Sequence, residues 1–145
     1  MKHALVVLTA AIGFYGVLPA PTARAADPAT GSSALGAQFF EQRVYTTAPG
    51  KLPLLHKRFR EHTNELFVRH GMHLIAYWTP ADKDDMLIYV LAYPSREARE
   101  ASWKAFMDDP EWQRVWAASK EEAGGAIVTN VASTFMVPTD YSPIR

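Results

Sequence analysis

The sequence predicts an α+β domain in which helices cover one face of a four-stranded antiparallel sheet. Short alternating segments are separated by turn residues, and longer segments carry apolar residues three or four positions apart. The order of these segments is β-α-β-β-α-(α)-β. With right-handed crossovers, this order places the first and third strands in the middle of the sheet. The predicted arrangement is the split βαβ, or ferredoxin-like, fold.

Residues 1–25 have the pattern of a secretory signal peptide. Lys2 supplies a positive charge, residues 4–18 form an apolar run, and Ala23-Arg24-Ala25 offers small residues at the cleavage positions. The apolar run is shorter than the ~20 residues that a helix needs to span a bilayer, so we expect no stable membrane anchor. The segment predicts a protein that is secreted or periplasmic after cleavage of the signal peptide.

The remaining chain divides into a short linker and one domain. Residues 26–37 are rich in Ala, Gly, Ser, Thr and Pro without periodicity, which predicts a flexible linker before a domain over residues 38–145. The 15 basic and 15 acidic residues balance, so there is no electrostatic reason to expect nucleic acid as a partner. The absence of cysteine excludes disulfides and thiolate chemistry.

The first strand is predicted over Phe39–Thr46, before a turn at Ala48-Pro49-Gly50. Alternation divides its side chains between two faces. We expect one face to pack on the helices and the other, which is amphipathic, to line a wetter interior. The first face carries Phe40, Gln42 and Val44, and the second carries Phe39, Glu41, Arg43 and Tyr45.

A long helix is predicted from about Leu52 to Arg69. Pro53 fits its first turn, and Gly71 fits the left-handed conformation that ends many helices. An apolar stripe about one third of the circumference wide predicts the buried face. The stripe contains Leu52, Leu55, Phe59, Thr63, Leu66 and Phe67, and the charged residues largely outside it are Lys57, Arg58, Arg60, Glu61 and Glu65.

The second and third strands are predicted over His73–Trp78 and Met86–Tyr93, joined by a polar loop. The third strand is apolar on both faces, which predicts a central position with cover on each side. Because the helices cover only one face of the sheet, a second copy of the chain is the simplest cover for the other. We therefore predict a homodimer in which two sheets face each other, a dimeric α+β barrel.

Two further helices and a last strand complete the domain. Ser95 can cap a helix that runs to about Met107, and Asp109 with Pro110 can start another that stops near Gly124-Gly125. The last strand is predicted over Ile127–Val137. Helical spacing predicts that the core-facing residues are Ala98, Trp103, Phe106, Met107, Trp112, Val115 and Trp116.

A series of motifs follows along this domain. They are Phe40–Thr46 with Pro49-Gly50-Lys51, Phe59–Thr63 leading to Arg69-His70-Gly71, Tyr77-Trp78-Thr79, Ala92–Ser95, Asp109–Trp112 and Val137–Pro143. Together they resemble the NIPSNAP family over about residues 38–145. The resemblance implies a dimeric ferredoxin-like barrel and no settled activity, since similar barrels include cofactor-free monooxygenases, small isomerases and haem proteins. Gln42 stands where the family usually has an aliphatic residue, and the export signal differs from the family's vesicle and mitochondrial roles in animals.

Five side chains are candidates for a ligand-binding site. Glu41, Arg43 and Tyr45 would present an acid, a cation and a phenol to the interior of the barrel, and Trp78 and Tyr89 would form an aromatic wall. The alternative is that Glu41 and Arg43 pair with cross-strand neighbours at the dimer interface. The sequence identifies no catalytic residue.

The histidines do not form a recognisable metal site. His56 and His62 are six residues apart and lie on different sides of a helix, and His70 and His73 have no acidic neighbour in sequence. The three Asp of the loop before the third strand lack the calcium-binding loop pattern. We therefore expect neither a metal nor a cofactor.

The leading hypothesis for function is an exported, dimeric NIPSNAP-like protein with a binding or accessory role, holding a small apolar or aromatic ligand between the two sheets. The alternative is a cofactor-independent enzyme of the monooxygenase or isomerase kind, in which Arg43 steadies an oxyanion and a Tyr or His handles a proton. Haem binding is the weakest of the three. The chain has no nucleophile elbow, phosphate loop or dinucleotide fingerprint.

Overall fold

The sheet has the predicted order of strands. The computed structural model describes residues 39–144, so the predicted signal peptide and linker lie outside the described residues. One antiparallel sheet contains β1 (Phe39–Thr47), β2 (His73–Trp78), β3 (Met86–Tyr93) and β4 (Val128–Met136). Their order across the sheet is β2-β3-β1-β4, so β1 and β3 are central. The predicted α+β class is confirmed.

The predicted helix between β1 and β2 has an irregular middle. It consists of α1 (Leu52–Arg58), a π-helical segment (Phe59–Thr63) and α2 (Asn64–Arg69). In the wider turn, the Thr63 hydroxyl donates to the Arg58 carbonyl oxygen at 3.2 Å. Gly71 follows with a φ of +77°, the left-handed conformation expected there. All six residues of the predicted apolar stripe are buried.

Side chains cap both helices that follow β3. α3 (Arg96–Asp108) begins after Ser95, whose hydroxyl accepts a backbone amide of the first turn at 3.2 Å. α4 (Pro110–Glu122) begins after Asp109, whose carboxylate accepts such an amide at 2.7 Å. These bonds satisfy donors that a helix leaves free at its start, as the sequence predicts. Within residues 39–144, no helix is both long and apolar enough to cross a membrane.

The helices cover one face of the sheet and enclose an aromatic core. Phe59 of the π segment lies edge-on to Tyr45, Tyr77 and Tyr89, with ring centroids 5.3 to 6.3 Å apart. Tyr89, on the central strand β3, is fully buried beneath it. Edge-to-face aromatic pairs of this kind contribute about 0.5–1.5 kcal/mol each beyond the area they bury. These ring contacts pack the π segment against the middle of the sheet.

The prediction for the two faces of β1 is wrong. The amphipathic face, which carries Glu41, Arg43 and Tyr45, lies beneath the helices, and the face that carries Phe40 belongs to a separate cluster. Side chains of α3 supply hydrogen bonds to the buried carboxylate of Glu41. These partners are 58 or more residues away in sequence, so alternation within the strand cannot reveal them.

The opposite face of the sheet carries the second apolar cluster, which consists of strand residues alone. Its members are Phe40, Ile75, Val90, Ala92 and Met136. Only Phe40 and Ala92 of these are buried, and the other three are half-buried. This face is the one that the sequence analysis assigns to a second copy of the chain.

Three predictions for individual helix positions are also wrong. Met107 and Trp116, expected in the core, are 53% and 47% exposed, and Arg58, expected outside the buried stripe, is only 7% exposed. Phe106 and Trp112 are buried as predicted. Met107 and Trp116 line a cavity beside β4, which is exposed along most of its length, instead of filling the core. Arg58 is buried because it lies against Ser119 and Trp112 of α4.

Candidate functional site

A cavity of about 700 Å³ lies between the helices and the β1–β4 half of the sheet. Most of its wall is apolar or aromatic, and its polar members carry no carboxylate. Its apolar and aromatic lining consists of Tyr45, Phe59, Phe67, Trp103, Phe106, Met107, Trp112, Trp116, Ala117, Val128 and Val131, and its polar lining of Arg43, Arg58, Thr63 and Gln113. A cavity of this size and composition is typical of a site for a small organic molecule.

The cavity opens to solvent beside the edge strand β4. Three of its lining side chains, Met107, Trp116 and Val131, are between 43% and 53% exposed. Large apolar side chains gathered around a concave opening are a common feature of ligand-binding grooves. A small molecule can therefore enter from this side without unfolding the core.

Glu41 is the buried centre of a hydrogen-bond network next to this cavity. Its side chain is fully buried, and its carboxylate accepts hydrogen bonds from Arg43 Nη1 at 2.7 Å and from Arg99 Nε and Nη2 at 2.9 and 2.8 Å. The indole nitrogen of Trp103 donates to the same carboxylate at 3.0 Å and to the Tyr93 hydroxyl at 2.9 Å. One carboxylate thus ties β1 to α3.

The network determines the protonation states of Glu41 and Arg43. Burial alone would raise the pKa of Glu41, but the hydrogen bonds from Arg99 and the positive charge of Arg43 outweigh it and lower that pKa. Burial alone would lower the pKa of Arg43, but its neighbours Tyr45, Tyr89 and Glu41 raise it further above its ordinary range. Glu41 is therefore ionised and Arg43 charged at neutral pH.

Arg43 carries this charge to the cavity wall. Its guanidinium carbon lies 4.3 Å from the Trp103 ring centroid, a cation–π contact, and Nη1 also donates to the Ser133 hydroxyl at 3.1 Å. Nη2 lies 3.4 Å from the Tyr45 hydroxyl oxygen. A cation and a phenol thus stand side by side in the wall.

Arg58 is a second cation in the same wall. It comes from the end of α1, just before the π segment, and its Nη1 donates to the Ser119 hydroxyl of α4 at 3.0 Å. Its guanidinium carbon lies 5.4 Å from the Trp112 ring centroid. Burial lowers the pKa of Arg58.

Tyr89 and Tyr77 lie next to each other on the neighbouring strands β3 and β2. Their rings stack with centroids 5.5 Å apart, and both hydroxyl oxygens are buried without a hydrogen-bond partner in the described part of the chain. Burial is the largest cause that raises the pKa of each tyrosine. Tyr89 touches Tyr45 edge-on at 5.3 Å, so it supports a lining residue without lining the cavity itself.

Trp78 stands apart from the other candidates. It lies on the edge strand β2, pairs with Ile88 and is 52% exposed. It lines a different cavity of about 420 Å³, together with Tyr77 and His56. The structure therefore brings Glu41, Arg43, Tyr45 and Tyr89 together and leaves Trp78 at the far edge of the sheet.

The sequence predicted Trp103 as a core-facing residue, but it predicted no polar role in the site for Arg58, Arg99 or Trp103. Arg58 follows Leu55 by three positions and so falls on the buried side of its helix, a signal that its charge obscured. Arg99 and Trp103 are four positions apart on α3, which places them on one helix face. That spacing shows that their side chains are neighbours, but it does not show which carboxylate they bind.

Comparisons with known proteins identify the family and the fold. The family model described as NIPSNAP matches residues 40–143. A search of curated proteins gives no match. Among solved structures, a NIPSNAP family protein of unknown function from Agrobacterium tumefaciens is 20% identical, with a TM-score of 0.65, covering 76% of this chain and 96% of its own. An uncharacterised NIPSNAP domain protein from Burkholderia xenovorans is 23% identical, with a TM-score of 0.60, covering 72% and 98%.

A further solved structure extends the similarity beyond that family. A putative antibiotic biosynthesis monooxygenase from Chloroflexus aurantiacus is 14% identical, with a TM-score of 0.51, and the match covers 71% of this chain and 94% of that one. At this level of identity the similarity concerns the ferredoxin-like fold alone. Among residues 39–144, no three His, Asp or Glu side chains are gathered as a metal site would require.

Proposed function

Because the chain belongs to the NIPSNAP family, we propose that it is an exported homodimer that binds a small apolar or aromatic molecule within each subunit. The ligand occupies the cavity beneath α3 and α4. This location differs from the space between two sheets that the sequence suggested, since the face with Glu41, Arg43 and Tyr45 lies under the helices.

The observation that carries this proposal is the cavity itself. Its volume is about 700 Å³, and its lining consists mainly of aromatic rings and aliphatic side chains. Contact of such an apolar lining with water is unfavourable. A ring-containing molecule would replace that water and stack against Trp103, Trp112 or Trp116. The surrounding network holds Trp103 in place, so the wall is prepared before a ligand arrives.

Ligand binding is tested with the neutral fluorescent probe 1-aminoanthracene, whose emission shifts and rises in an apolar site. The wild-type protein is expected to bind it, and Val131→Trp, which places a large ring in the cavity, is expected to weaken binding by about tenfold or more. Val137→Trp is the matched control, because Val137 is 73% exposed and does not line the cavity. Equal binding by wild type and Val131→Trp would contradict the proposal.

The dimer rests on the uncovered face of the sheet. In the part of the chain that the structure describes, strand residues alone form the cluster of Phe40, Ile75, Val90 and Met136, and such a face is suited to pack against its own copy. Val90→Lys would place a charge in the middle of this face and is expected to give monomers in sedimentation equilibrium. Val137→Lys, at an exposed position outside the cluster, should leave the mass unchanged. A monomeric wild-type protein at high concentration would refute the dimer.

Export depends on the segment outside the described residues and needs its own experiment. Expression of the full chain, followed by fractionation and mass determination of the N-terminus, is expected to give a periplasmic or secreted form that begins near residue 26. A full-length protein retained in the cytoplasm or in the membrane would contradict this part of the proposal.

A second candidate function is a cofactor-independent enzyme on the same fold. The observation that favours it is the pair of Arg43 and Tyr45 in the cavity wall, since a fixed cation beside a phenol can stabilise an oxyanion formed on a bound substrate. This candidate predicts oxygen uptake with an electron-rich phenol such as 1-naphthol, measured with an oxygen electrode and lost in Arg43→Gln. Probe binding without any turnover favours the binding role instead.

A further inference from the structure

Arg58 is a buried cation without a counter-ion among the described residues. Its side chain is 7% exposed, and it takes part in no salt bridge within residues 39–144. Its Nη1 donates to the neutral hydroxyl of Ser119 at 3.0 Å, and its Nε is buried without any hydrogen-bond partner. The ring centroid of Trp112 lies 5.4 Å from its guanidinium carbon, a cation–π contact, and the other groups that act on its charge are the neutral phenols of Tyr45 and Tyr89.

Two half-buried arginines of the domain, Arg43 and Arg99, have a counter-ion that Arg58 lacks within the described chain. Arg43 and Arg99 both bind the carboxylate of Glu41, at 2.7 and 2.8 Å. A buried charge that has no partner of opposite sign is costly, and proteins usually provide one. An arginine does not lose its proton at any ordinary pH, so Arg58 cannot relieve this cost by becoming neutral. It keeps a positive charge in a weakly solvated position.

The 700 Å³ cavity beside Arg58 has room for an anion that could serve as its counter-ion. Among the described residues, the charged ones that line it are Arg43 and Arg58, and Arg43 already has Glu41 as a partner. Arg58 also borders a smaller groove of about 320 Å³, but that groove already contains the carboxylates of Glu61 and Glu122, and Glu122 pairs with Lys57 at 2.7 Å. The 700 Å³ cavity is therefore positive on balance and free of carboxylates, while the rest of its wall is apolar.

We propose that Arg58 anchors the carboxylate of an aromatic or apolar monocarboxylic acid, whose body fills the cavity against Trp112 and Phe106. This inference rests on the proposed function, because it names the chemical class of the ligand at the same site. The planar guanidinium suits a carboxylate, which supplies two acceptor oxygens and the counter-charge together. A neutral molecule of the same shape fills the same space but leaves Arg58 uncompensated.

The π segment gives this assignment a structural basis. Arg58 is the last residue of α1, and its carbonyl oxygen accepts the Thr63 hydroxyl across the widened turn. Both residues line the cavity. Single π turns inside helices are often found at functional sites, where the extra residue redirects a side chain. Here the widened turn begins directly after the one buried arginine in the described chain that makes no salt bridge.

The experiment compares 2-naphthoate with 2-naphthalenemethanol, which have the same ring system with and without the negative charge. Displacement of 1-aminoanthracene at pH 7 gives their affinities for the wild type, for Arg58→Gln and for Arg60→Gln. Arg60 is an exposed arginine of the same helix that does not line the cavity, so it controls for the loss of a nearby positive charge.

The wild type and Arg60→Gln are expected to prefer the carboxylate over the alcohol by about tenfold or more, which is the contribution of one charge-assisted hydrogen bond. Arg58→Gln is expected to lose that preference while it still binds the alcohol. Equal affinity of the wild type for both compounds would overturn the inference, as would a carboxylate preference that survives in Arg58→Gln.

The outcomes separate this inference from the proposed function. If both naphthalene compounds bind equally in the cavity, the ligand-binding role stands and the role of Arg58 is wrong. If neither compound nor the probe binds, both fail. Circular dichroism checks that Arg58→Gln is folded, and an unfolded variant is replaced by Arg58→Lys, which keeps the charge and should retain only part of the carboxylate preference.

Discussion

Glu41→Gln keeps the size and shape of the side chain, yet it should be one of the most destabilising substitutions of this kind in the domain. The fully buried carboxylate accepts four hydrogen bonds, three from Arg43 and Arg99 and one from the indole of Trp103. An amide of the same size has one acceptor oxygen and brings an NH₂ group against the guanidinium donors. It also leaves two arginines beside each other without their shared counter-charge.

The expected cost is about 3–5 kcal/mol of unfolding free energy, the range found when one partner of a buried ion pair is removed. For a domain of about 100 residues this corresponds to a fall in Tm of roughly 12 °C or more. Urea unfolding and a thermal scan at one fixed protein concentration measure both quantities. Glu65→Gln is the control, because Glu65 is 75% exposed and its pair with Arg69 contributes about 1 kcal/mol at most.

The pH dependence gives a second measurement of the same group. The pKa of Glu41 is lowered in the folded protein, so its stabilising contribution is complete above the ordinary carboxyl pKa of about 4.3 and is lost as the pH falls through the lower folded value. The difference in stability between wild type and Glu41→Gln should therefore be constant between pH 6 and 8 and shrink towards pH 3. A Glu41→Gln protein within about 1 kcal/mol of the wild type at pH 7 would refute this account of the network.

Two further predictions concern local structure. Ser95→Ala should lower the unfolding free energy by about 1 kcal/mol, because it removes the hydrogen-bond acceptor at the start of α3. Ser95→Asp should retain most of the wild-type stability. Urea unfolding that shows no loss of stability in Ser95→Ala would contradict the cap. Gly71→Ala should cost about 1–2 kcal/mol through its φ of +77° alone, since an added Cβ would meet only the Ser102 hydroxyl oxygen at an ordinary 3.5 Å. Gly50→Ala, with a φ of +71° and open space around it, should cost a similar amount in the same assay, and a much larger loss at Gly71 would point to a steric cause instead.

The secondary structure could be predicted because it depends on signals that are local in sequence. The caps Ser95 and Asp109, the apolar stripe of the first helix and the apolar third strand all lie within the elements that they specify. The order of the strands followed from the order of the elements and from the handedness of crossovers. No long-range pairing was needed for any of these predictions.

The faces of β1 could not be predicted because they depend on a distant partner. Glu41 and Arg43 are two positions apart and share one face of the strand, and within the strand their charges indicate the wetter face. The carboxylate is buried only because Arg99 and Trp103 of α3 reach it from 58 and 62 residues further along the chain. A single sequence contains these residues, but it carries no signal that they are in contact in the folded protein.

Most of the failed predictions concern one part of the molecule, and Trp78 at the far edge of the sheet is the exception. Arg43 and Tyr45 on the misassigned face, Arg58 and the exposed helix residues Met107 and Trp116 all line the same cavity. Helix stripes and strand alternation predict correctly where packing alone decides the position of a side chain. A sequence that breaks these local rules at one place, and obeys them elsewhere, is giving up some stability there, and sites of function are where such exceptions are expected.

This cavity is a better site for a ligand than the uncovered sheet face. The uncovered face is apolar and regular, as packing against another copy requires, and its cluster contains no charged group. The cavity combines a fixed aromatic wall, an ionised network and one arginine that the described chain leaves without a counter-ion. Packing between subunits needs none of these features, whereas recognition of an acid with an aromatic body needs all three.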